Sequence, residues 1–487
     1  MQSEETNQDK PEKQPRLIRM KKLQFIILLF AVVIISAGVP TFVFMFGNEK
    51  AVGNDGERSE FQKLYAAFDS LKDSYFKEVD QDKLINGAIN GMVDALEDPY
   101  SDYMSVDEAE SFHQSISSSF QGIGAEIQEQ EGFIVIVSPL KGSPAEEAGL
   151  KPNDKVLAVD GKSLQGMSST EAVLLIRGEK GTKVELSIQR PGVEEEMTVP
   201  IIRDTIPIET VYGEMLEDGI AKVQITSFSE HTSEELVKVL NDMQGKGMKG
   251  LILDLRQNPG GLLNQAVDIS SMFVPKGEII FQIEDRNGKR EEFKSKGSNN
   301  PNIPLVVVID KGSASASEIL AGAVKESANI SLVGEKSFGK GTVQRAQDFS
   351  DGSNMKFTTE KWLTPNANWI HEKGIVPDYE VALPEYASLP FINPDLELKL
   401  SSSSNQVKTA QQMLKAIGYD PGREDGFFDE KTKQIVEKFQ AAEKLDVNGV
   451  LTGKSTLVLM ERLREKLDKD DTQIKKAAEI LKQEMGS

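Results

Sequence analysis

The sequence predicts an α+β multidomain chain: an N-terminal transmembrane helix, a helical N-terminal region, a small β-rich domain, an α/β core and a small three-helix unit. Three observations predict it. At 487 residues the chain is too long for one ordinary core, and length alone implies about three domains. Leu23 to Asn48 carries no charged side chain, which is enough chain to span a bilayer as a helix. From about residue 204 to 385, continuous apolar runs alternate with helix-period segments, the pattern of a sheet covered on both faces.

Composition narrows the function. Lys and Arg number 56 against 77 Asp and Glu, a net charge of −21, which argues against a nucleic-acid partner, since that requires a basic face. No cysteine is present, so disulfides, cysteine nucleophiles, zinc ribbons and a lipid-modified cysteine anchor are excluded.

Taken in order, residues 1–22 read as a cytoplasmic tail and 23–48 as a membrane anchor. Lys13, Arg16, Arg19, Lys21 and Lys22 precede the apolar run; Glu49, Asp55 and Glu57 follow it, with Lys50 and Arg58 mixed in. The positive-inside rule then predicts a single-pass cell-membrane protein whose remaining chain is extracytoplasmic. A cleavable signal peptide would have a shorter apolar core and a small-residue cleavage site, and no such site stands out. Residues 57–118 read as helical: Phe61, Leu64, Tyr65, Phe68, Leu71 and Phe76 recur at near-helical spacing, and a second run, "LINGAINGMVDALEDPYSDYM", stops at Pro99.

Residues 119–202 change to short β runs. The order of "FQGIGAEI", "FIVIVSPL", "SPAEEAGL", "DKVLAVDG" and the late helix "STEAVLLIRG" resembles a PDZ domain. In its loop, Gly122, Ile123 and Gly124 can turn backbone N–H groups toward one point and make a nest for a carboxylate. The neighbouring strand edge can accept a peptide by strand addition.

Residues 203–390 form the α/β core, with "GIAKVQITSF", "GLILDL" and "PLVVVID" as strands and "SEELVKVLNDM", "GGLLNQAVDISSMFV" and "SASEILAGAVKES" as helices. "SSSSN" at 401–405 reads as a linker. Residues 405–461 resemble the three-helix peptidoglycan-binding domain of cell-wall hydrolases, on Gln411, Leu414, Gly418, Tyr419, Asp425, Gly426, Phe428, Asp429, Thr432, Val436, Phe439, Gln440, Leu445, Gly449 and Thr456. Residues 462–487 read as a charged helix, for which packing and a dimer contact are both open.

The chemistry centres on "VVVIDKGSASASEILAGAVKE". Ser313, Ser315 and Ser317 lie where a strand ends and a helix begins, the usual place for a site in an α/β fold. The helix N-terminus supplies free N–H groups for an oxyanion. The competing role for these serines is helix capping. A serine nucleophile needs a base. His113, His231 and His371 show no Ser-His-Asp pattern, so lysine is the alternative. Lys340 stands between Gly339 and Gly341, in a turn able to enter a crowded site, with Phe338 and Val343 available as walls and Gln344 able to orient the amine. Burial would have to bring its pKa down. The competing role is an exposed turn lysine.

"GSASASEILAGAV", "SFGKGTVQ", "LILDLRQNPGGLL" and "FTTEKWLTPNANWIHEKGIVPD" together are similar to the carboxyl-terminal processing peptidases, or tail-specific proteases, over roughly 60–385. The resemblance implies Ser315 as nucleophile, Lys340 as general base and Gln344 as the lysine-orienting residue. It also implies an oxyanion hole from Ala316 and the Gly260–Gly261 turn. Arg177 resembles the arginine with which that family links a ligand-bound PDZ domain to the active site, and its other role is a surface charge or helix C-terminal partner. The implied partners are a protein or peptide with a free C-terminus, peptidoglycan, the membrane through the N-terminal helix, and a second copy of the chain as homodimer; no cofactor or metal is implied. Two rival readings stand beside this one. A literal S-x-x-K, Ser337 to Lys340, points to penicillin-binding enzymes, but its glycines make a poor helix and no K-T-G follows. A catalytically silent scaffold with a peptide site and a wall anchor is the other.

Overall fold

The computed structural model describes residues 59–486, apart from 118, 131, 194 and 298–302. Contacts divide the chain into two units, Met1–Ala88 and Ile89–Ser487. The transmembrane anchor expected at 23–48 lies outside the described residues. Among those described, no helix is long and apolar enough to cross a membrane. Over the described residues the fold class is corrected to α+β multidomain without a spanning helix, and the single-pass, extracytoplasmic placement built on that helix is dropped.

In the first unit, α1 (Gln62–Ser74) has no buried residue, and Leu64, Tyr65 and Leu71 are exposed. Helix α2 (Gln81–Asp94) crosses into the second unit. There the chain forms β1 (Asp102–Met104) and α3 (Val106–Ser117). Strand β1 was not anticipated inside a helical region.

The PDZ-like region comprises β2 (Ser119–Gly122), β3 (Ala125–Gln130), β4 (Phe133–Pro139), α4 (Pro144–Glu147), β5 (Lys155–Val159), β6 (Lys162–Ser163), α5 (Ser169–Ile176), β7 (Lys183–Gln189) and β8 (Met197–Ile202). Its sheet runs β3-β4-β5-β7-β8, with β6 on β5, so β3 is an edge strand. Alternate residues of β7, Val184, Leu186 and Ile188, are buried, as a half-covered strand requires. They meet Ile134, Ile136 and Leu164 in one core. Strand β9 (Asp204–Pro207) pairs with β2.

The α/β core follows: β10 (Val211–Met215), β11 (Ile220–Ile225), α6 (Thr232–Gly245), β12 (Gly250–Asp254), α7 (Leu263–Phe273), β13 (Ile279–Asp285), β14 (Arg290–Lys294), β15 (Leu305–Ile309), α8 (Ala316–Ala328), β16 (Ser331–Gly334), β17 (Thr342–Asp348), β18 (Asn354–Leu363) and β19 (Tyr379–Glu380). One sheet has the order β10-β11-β12-β15-β16-β19, all parallel except the β10–β11 hairpin. Every residue of β12 and β15 is buried, as expected for strands covered on both faces. Leu236 of α6, Ile269 of α7 and Ile319 of α8 pack on one face. A second sheet, β1-β18-β13-β14 with β17 also on β18, is antiparallel and draws its β1 from the N-terminal region.

The three-helix unit has α9 (Asn405–Ala416), α10 (Glu430–Ala442) and α11 (Gly453–Lys469). Gln411 and Gln440 are buried amides that tie loops together. Gln411 takes the Gly426 N–H at 3.0 Å and donates to the Phe427 carbonyl at 2.9 Å. Gln440 takes the Gly449 N–H at 3.0 Å and donates to the Val450 carbonyl at 2.8 Å. The serine run before α9 is not a free linker: Ser401 N–H bonds to the Phe428 carbonyl, and Ser404 caps α9 through Val407 N–H. Serines suit both loops and caps, and capping prevails here.

Helix α12 (Thr472–Gly486) returns to the core. Its Ala477, Ile480 and Leu481 pack on Ile252, Val306, Val308 and Val333, the face that α6–α8 leave open. Ile480 and Leu481 contribute roughly 1.5–3 kcal/mol each by burial. Packing is therefore this helix's role within the chain, and the three-helix unit is spliced between β19 and the helix that completes the core.

Candidate active site

The site is built from two turns, one after β15 and one after β16. In the first, two of the three serines are structural. Ser313 donates its hydroxyl to the Leu255 carbonyl at 2.8 Å and accepts the Asp310 N–H at 2.9 Å. Ser317 donates to the Asn258 carbonyl at 3.0 Å. Both are fully buried. Ser315 differs. It is half-buried, its hydroxyl makes no side-chain cap bond to α8, and its backbone has φ 54° and ψ −111°. A positive φ at a non-glycine residue costs about 1–3 kcal/mol and is kept only where the surroundings impose it.

Glu318 is what imposes it. This carboxylate has no exposed surface and accepts four hydrogen bonds. Oε2 takes the N–H of Ser315 at 2.9 Å and of Lys340 at 2.8 Å. Oε1 takes the Ser337 hydroxyl at 2.6 Å and the Gly339 N–H at 2.7 Å. One buried side chain thus joins the serine turn to the lysine turn. It was not singled out from sequence, although Ser315-x-x-Glu318 has the spacing of a capping box.

The lysine turn is held from the other side by both tryptophans of the chain. Trp362 donates its indole N–H to the Lys340 carbonyl at 2.8 Å, and Trp369 donates to the Gly341 carbonyl at 2.9 Å. The flanking glycines are required sterically. A Cβ on Gly339, at φ 95°, would lie 2.9 Å from Gly374 N, and one on Gly341 would lie 2.8 Å from His371 N. Ser337, the first residue of the literal S-x-x-K, is buried; beyond its bond to Glu318 it accepts the Ile375 N–H at 2.6 Å. It lies outside any helix, so the penicillin-binding reading has no structural support.

Lys340 Nζ lies 4.9 Å from the centroid of the Tyr100 ring. Its pKa is lowered from the ordinary lysine value, chiefly by burial and then by the Lys356 charge, while Asp98 and Glu318 pull the other way. The wall is Tyr100 rather than Phe338, whose side chain is 55 % exposed. Tyr100 is fixed by its own loop: Asp98 accepts the Tyr100 N–H at 3.1 Å and the Ser101 hydroxyl at 2.6 Å, and Ser101 Oγ accepts the Thr358 N–H of β18 at 3.1 Å.

Gln344 is not hydrogen-bonded to Lys340. Its Nε2 donates to Thr342 Oγ1 at 2.9 Å and Thr358 Oγ1 at 3.1 Å, leaving Oε1 as the atom able to meet an ammonium. The Gly260–Gly261 turn lies against the serine, since a Cβ on Gly260 would meet Ser315 Cβ and Ala316 N at 2.9 Å. The Gly260 N–H is donated to Asn258 Oδ1 at 2.9 Å. The N–H groups of Gly261 and of Ala316, first residue of α8, have no acceptor among the described residues. His113 and His231 are exposed, while His371 Nδ1 accepts the Gly341 N–H at 3.4 Å.

In the PDZ-like region, Gly122, Ile123 and Gly124 are buried at the start of β3. The Gly124 φ is 73°, and a Cβ there would lie 2.5 Å from Ser143 Cβ, so the turn depends on glycine. The Arg177 guanidinium sits 4.8 Å from the Phe120 ring centroid and donates to Gln114 Oε1 of α3 at 3.2 Å.

Comparison with known proteins assigns the domains and the family. The model of peptidase family S41 matches residues 219–381, the PDZ domain 114–189, the putative peptidoglycan binding domain 403–460, and the N-terminal domain of the activating protease CtpB 46–108. The carboxy-terminal processing protease CtpA of Bacillus subtilis (strain 168) is 48 % identical over 470 residues, covering 96 % of this chain and 100 % of that protein. CtpB of the same strain is 43 % identical over 433 residues, covering 88 % and 90 %. A probable CtpA-like serine protease of Staphylococcus aureus (strain COL) is 37 % identical over 483 residues, covering 98 % and 96 %. The chain belongs to the carboxy-terminal processing proteases, serine peptidases of family S41.

Proposed function

We propose that this protease cuts proteins and peptides near a free C-terminus by a Ser315/Lys340 mechanism. The observation that carries the reading is the shared carboxylate of Glu318, which bonds the backbone of both residues while Ser315 is kept at positive φ. Neutral Lys340 takes the hydroxyl proton as Ser315 Oγ attacks the scissile carbonyl. The N–H groups of Ala316 and Gly261 receive the oxyanion, with Gly260 supplying the close approach. The C–N bond breaks as the Lys340 ammonium returns the proton to the leaving amine. A water, deprotonated by Lys340, then attacks the ester, and Ser315 regains its proton. Gln344 orients the ammonium through Oε1.

Activity should rise with pH through the folded-state pKa of Lys340, because only the neutral amine is a base. Tyr100→Ala opens the wall and hydrates the ammonium, which raises that pKa. The rising limb of kcat/KM should move to higher pH. Activity at neutral pH should fall about tenfold for each pH unit the limb moves, and recover in alkali. Tyr100→Phe keeps the ring face and should keep the wild-type profile. A limb unmoved in Tyr100→Ala would show that another group sets the lysine's environment.

The Gly122–Ile123–Gly124 loop and the free edge of β3 receive the substrate's terminal carboxylate and last residues. Arg177 carries occupancy onward through Gln114 on α3, which follows β1, a neighbour of β18. Amidating the C-terminus of a peptide substrate should therefore cut its cleavage rate sharply, and Arg177→Ala should slow turnover more than it weakens tail binding. Equal cleavage of amidated and free-acid peptides would remove the carboxylate as the signal. The 403–460 unit keeps the enzyme at peptidoglycan. The silent-scaffold alternative leaves the strained Ser315 and the caged Lys340 without a purpose.

A further inference from the structure

Arg256 connects the end of the chain to the catalytic turn. It follows β12, and its side chain is only 13 % exposed. Nε and Nη2 donate to the two oxygens of Asp254 at 2.8 and 2.7 Å. Nη2 also lies 2.8 Å from Asp471 Oδ2, and Nη1 donates to Gln473 Oε1 at 3.0 Å. Two of its partners therefore come from the start of α12.

The residues after Arg256 form the turn that offers Gly261. Gln257 N–H bonds to Asp310 Oδ1 at 2.9 Å, and Asn258 Nδ2 to the Ile225 carbonyl at 2.8 Å. The Asn258 carbonyl accepts both the Ala314 N–H and the Ser317 hydroxyl at 3.0 Å. The residues on either side of Ser315 are thus tied to Asn258, two positions from Arg256.

The start of α12 is anchored independently. Gln473 is fully buried and donates Nε2 to the Val381 carbonyl at 2.8 Å. Thr472 Oγ1 donates to the Ala382 carbonyl at 2.7 Å. Asp471 Oδ1 caps the helix by accepting the N–H of Gln473 at 3.0 Å and of Ile474 at 2.9 Å. One residue earlier, Asp470 faces the three-helix unit, with Lys466 at 2.7 Å and the Tyr386 hydroxyl at 3.0 Å. Adjacent aspartates thus contact the two sides of a domain junction.

We propose that Asp471 and Gln473 are positioning residues for the reaction, acting through Arg256 to aim the turn that presents the Gly261 N–H opposite that of Ala316. The helix beyond the three-helix unit is then part of the catalytic apparatus as well as a cover for the sheet. Losing Asp471 does not orphan a charge, because Arg256 keeps its bidentate bond to Asp254. What is lost is the second point that fixes the guanidinium, and with it the aim of the turn. Misplacement of a catalytic group by about 1 Å is enough to slow a reaction roughly 100-fold.

The inference rests on the Ser315 reading, and the test separates the two. In the full-length protein, Asp471→Asn and Asp471→Asn/Gln473→Ala should lower kcat roughly 10- to 100-fold with KM little changed. Affinity for a peptide aldehyde, whose adduct oxygen takes the oxyanion's place, should fall in parallel. The melting temperature of Asp471→Asn, and sedimentation of both variants with purified peptidoglycan, should stay near wild type; the double variant should melt lower, because the Val381 carbonyl loses its donor. Should the double variant not fold, Asp471→Asn alone carries the test, since asparagine keeps the helix cap. Wild-type kcat and aldehyde affinity in a folded variant would overturn the inference, as would loss of kcat with aldehyde affinity intact. Wild-type turnover by Ser315→Ala would instead overturn the reading beneath it.

Discussion

Ser315→Ala should lose turnover almost entirely, with kcat/KM falling by on the order of 10³ or more, while the fold persists. The hydroxyl caps nothing, and alanine inherits the same backbone geometry, so the melting temperature should barely move. Lys340→Ala should behave alike. Lys340→Arg should not restore activity, because a guanidinium does not give up its proton near neutral pH. The measurement is cleavage of an unstructured protein with an apolar C-terminus, beside thermal melts of each variant. Normal cleavage by Ser315→Ala would place the nucleophile elsewhere.

How much of this was legible depended on whether a residue's role is local. The apolar runs at 250–254 and 305–309 announced buried parallel strands because both faces of such strands must be apolar. Ser315 stood out because a strand-to-helix turn is read from a short window, and Lys340 because two glycines flank it. The antiparallel sheet was harder to read, since β1 and β18 pair across some 250 positions, Asp102 with Lys356, and no local period signals that. Tyr100 lies just past Pro99, where the helical run stops, and its place beside Lys340 follows only from that pairing. Glu318 was hidden for a different reason. A charged residue in the first turn of a helix ordinarily faces water, and beyond the capping-box spacing to Ser315 nothing nearby in sequence marks the other three donors, which come from Ser337 to Lys340. The serine run at 401–404 misled because loops and caps use the same residues.

Glu318 should give the second large effect, and its sign follows from counting donors. Four hydrogen bonds converge on two oxygens, and three of the donors are backbone N–H groups that cannot reverse. Glu318→Gln replaces one oxygen with a donor. If the new NH₂ takes the Oε2 position, it faces the N–H groups of Ser315 and Lys340, the worse orientation. At the Oε1 position it faces Ser337, whose hydroxyl can rotate to accept, and the Gly339 N–H, which cannot. At least one buried N–H is then left unsatisfied, at about 1–3 kcal/mol. Glu318→Ala removes all four acceptor contacts and should cost more than the Gln variant. Either change also loosens the bond that holds Ser315 at positive φ, so the reactivity of Ser315 should fall with stability. The rate of Ser315 labelling by a fluorophosphonate reads this directly. In Glu318→Gln it should drop and stay low as the pH is raised, because the fault is geometric. In Tyr100→Ala it should recover in alkali, because the fault there is protonation. Wild-type labelling and melting in Glu318→Gln would mean that the two turns are held in register by the tryptophans and glycines alone.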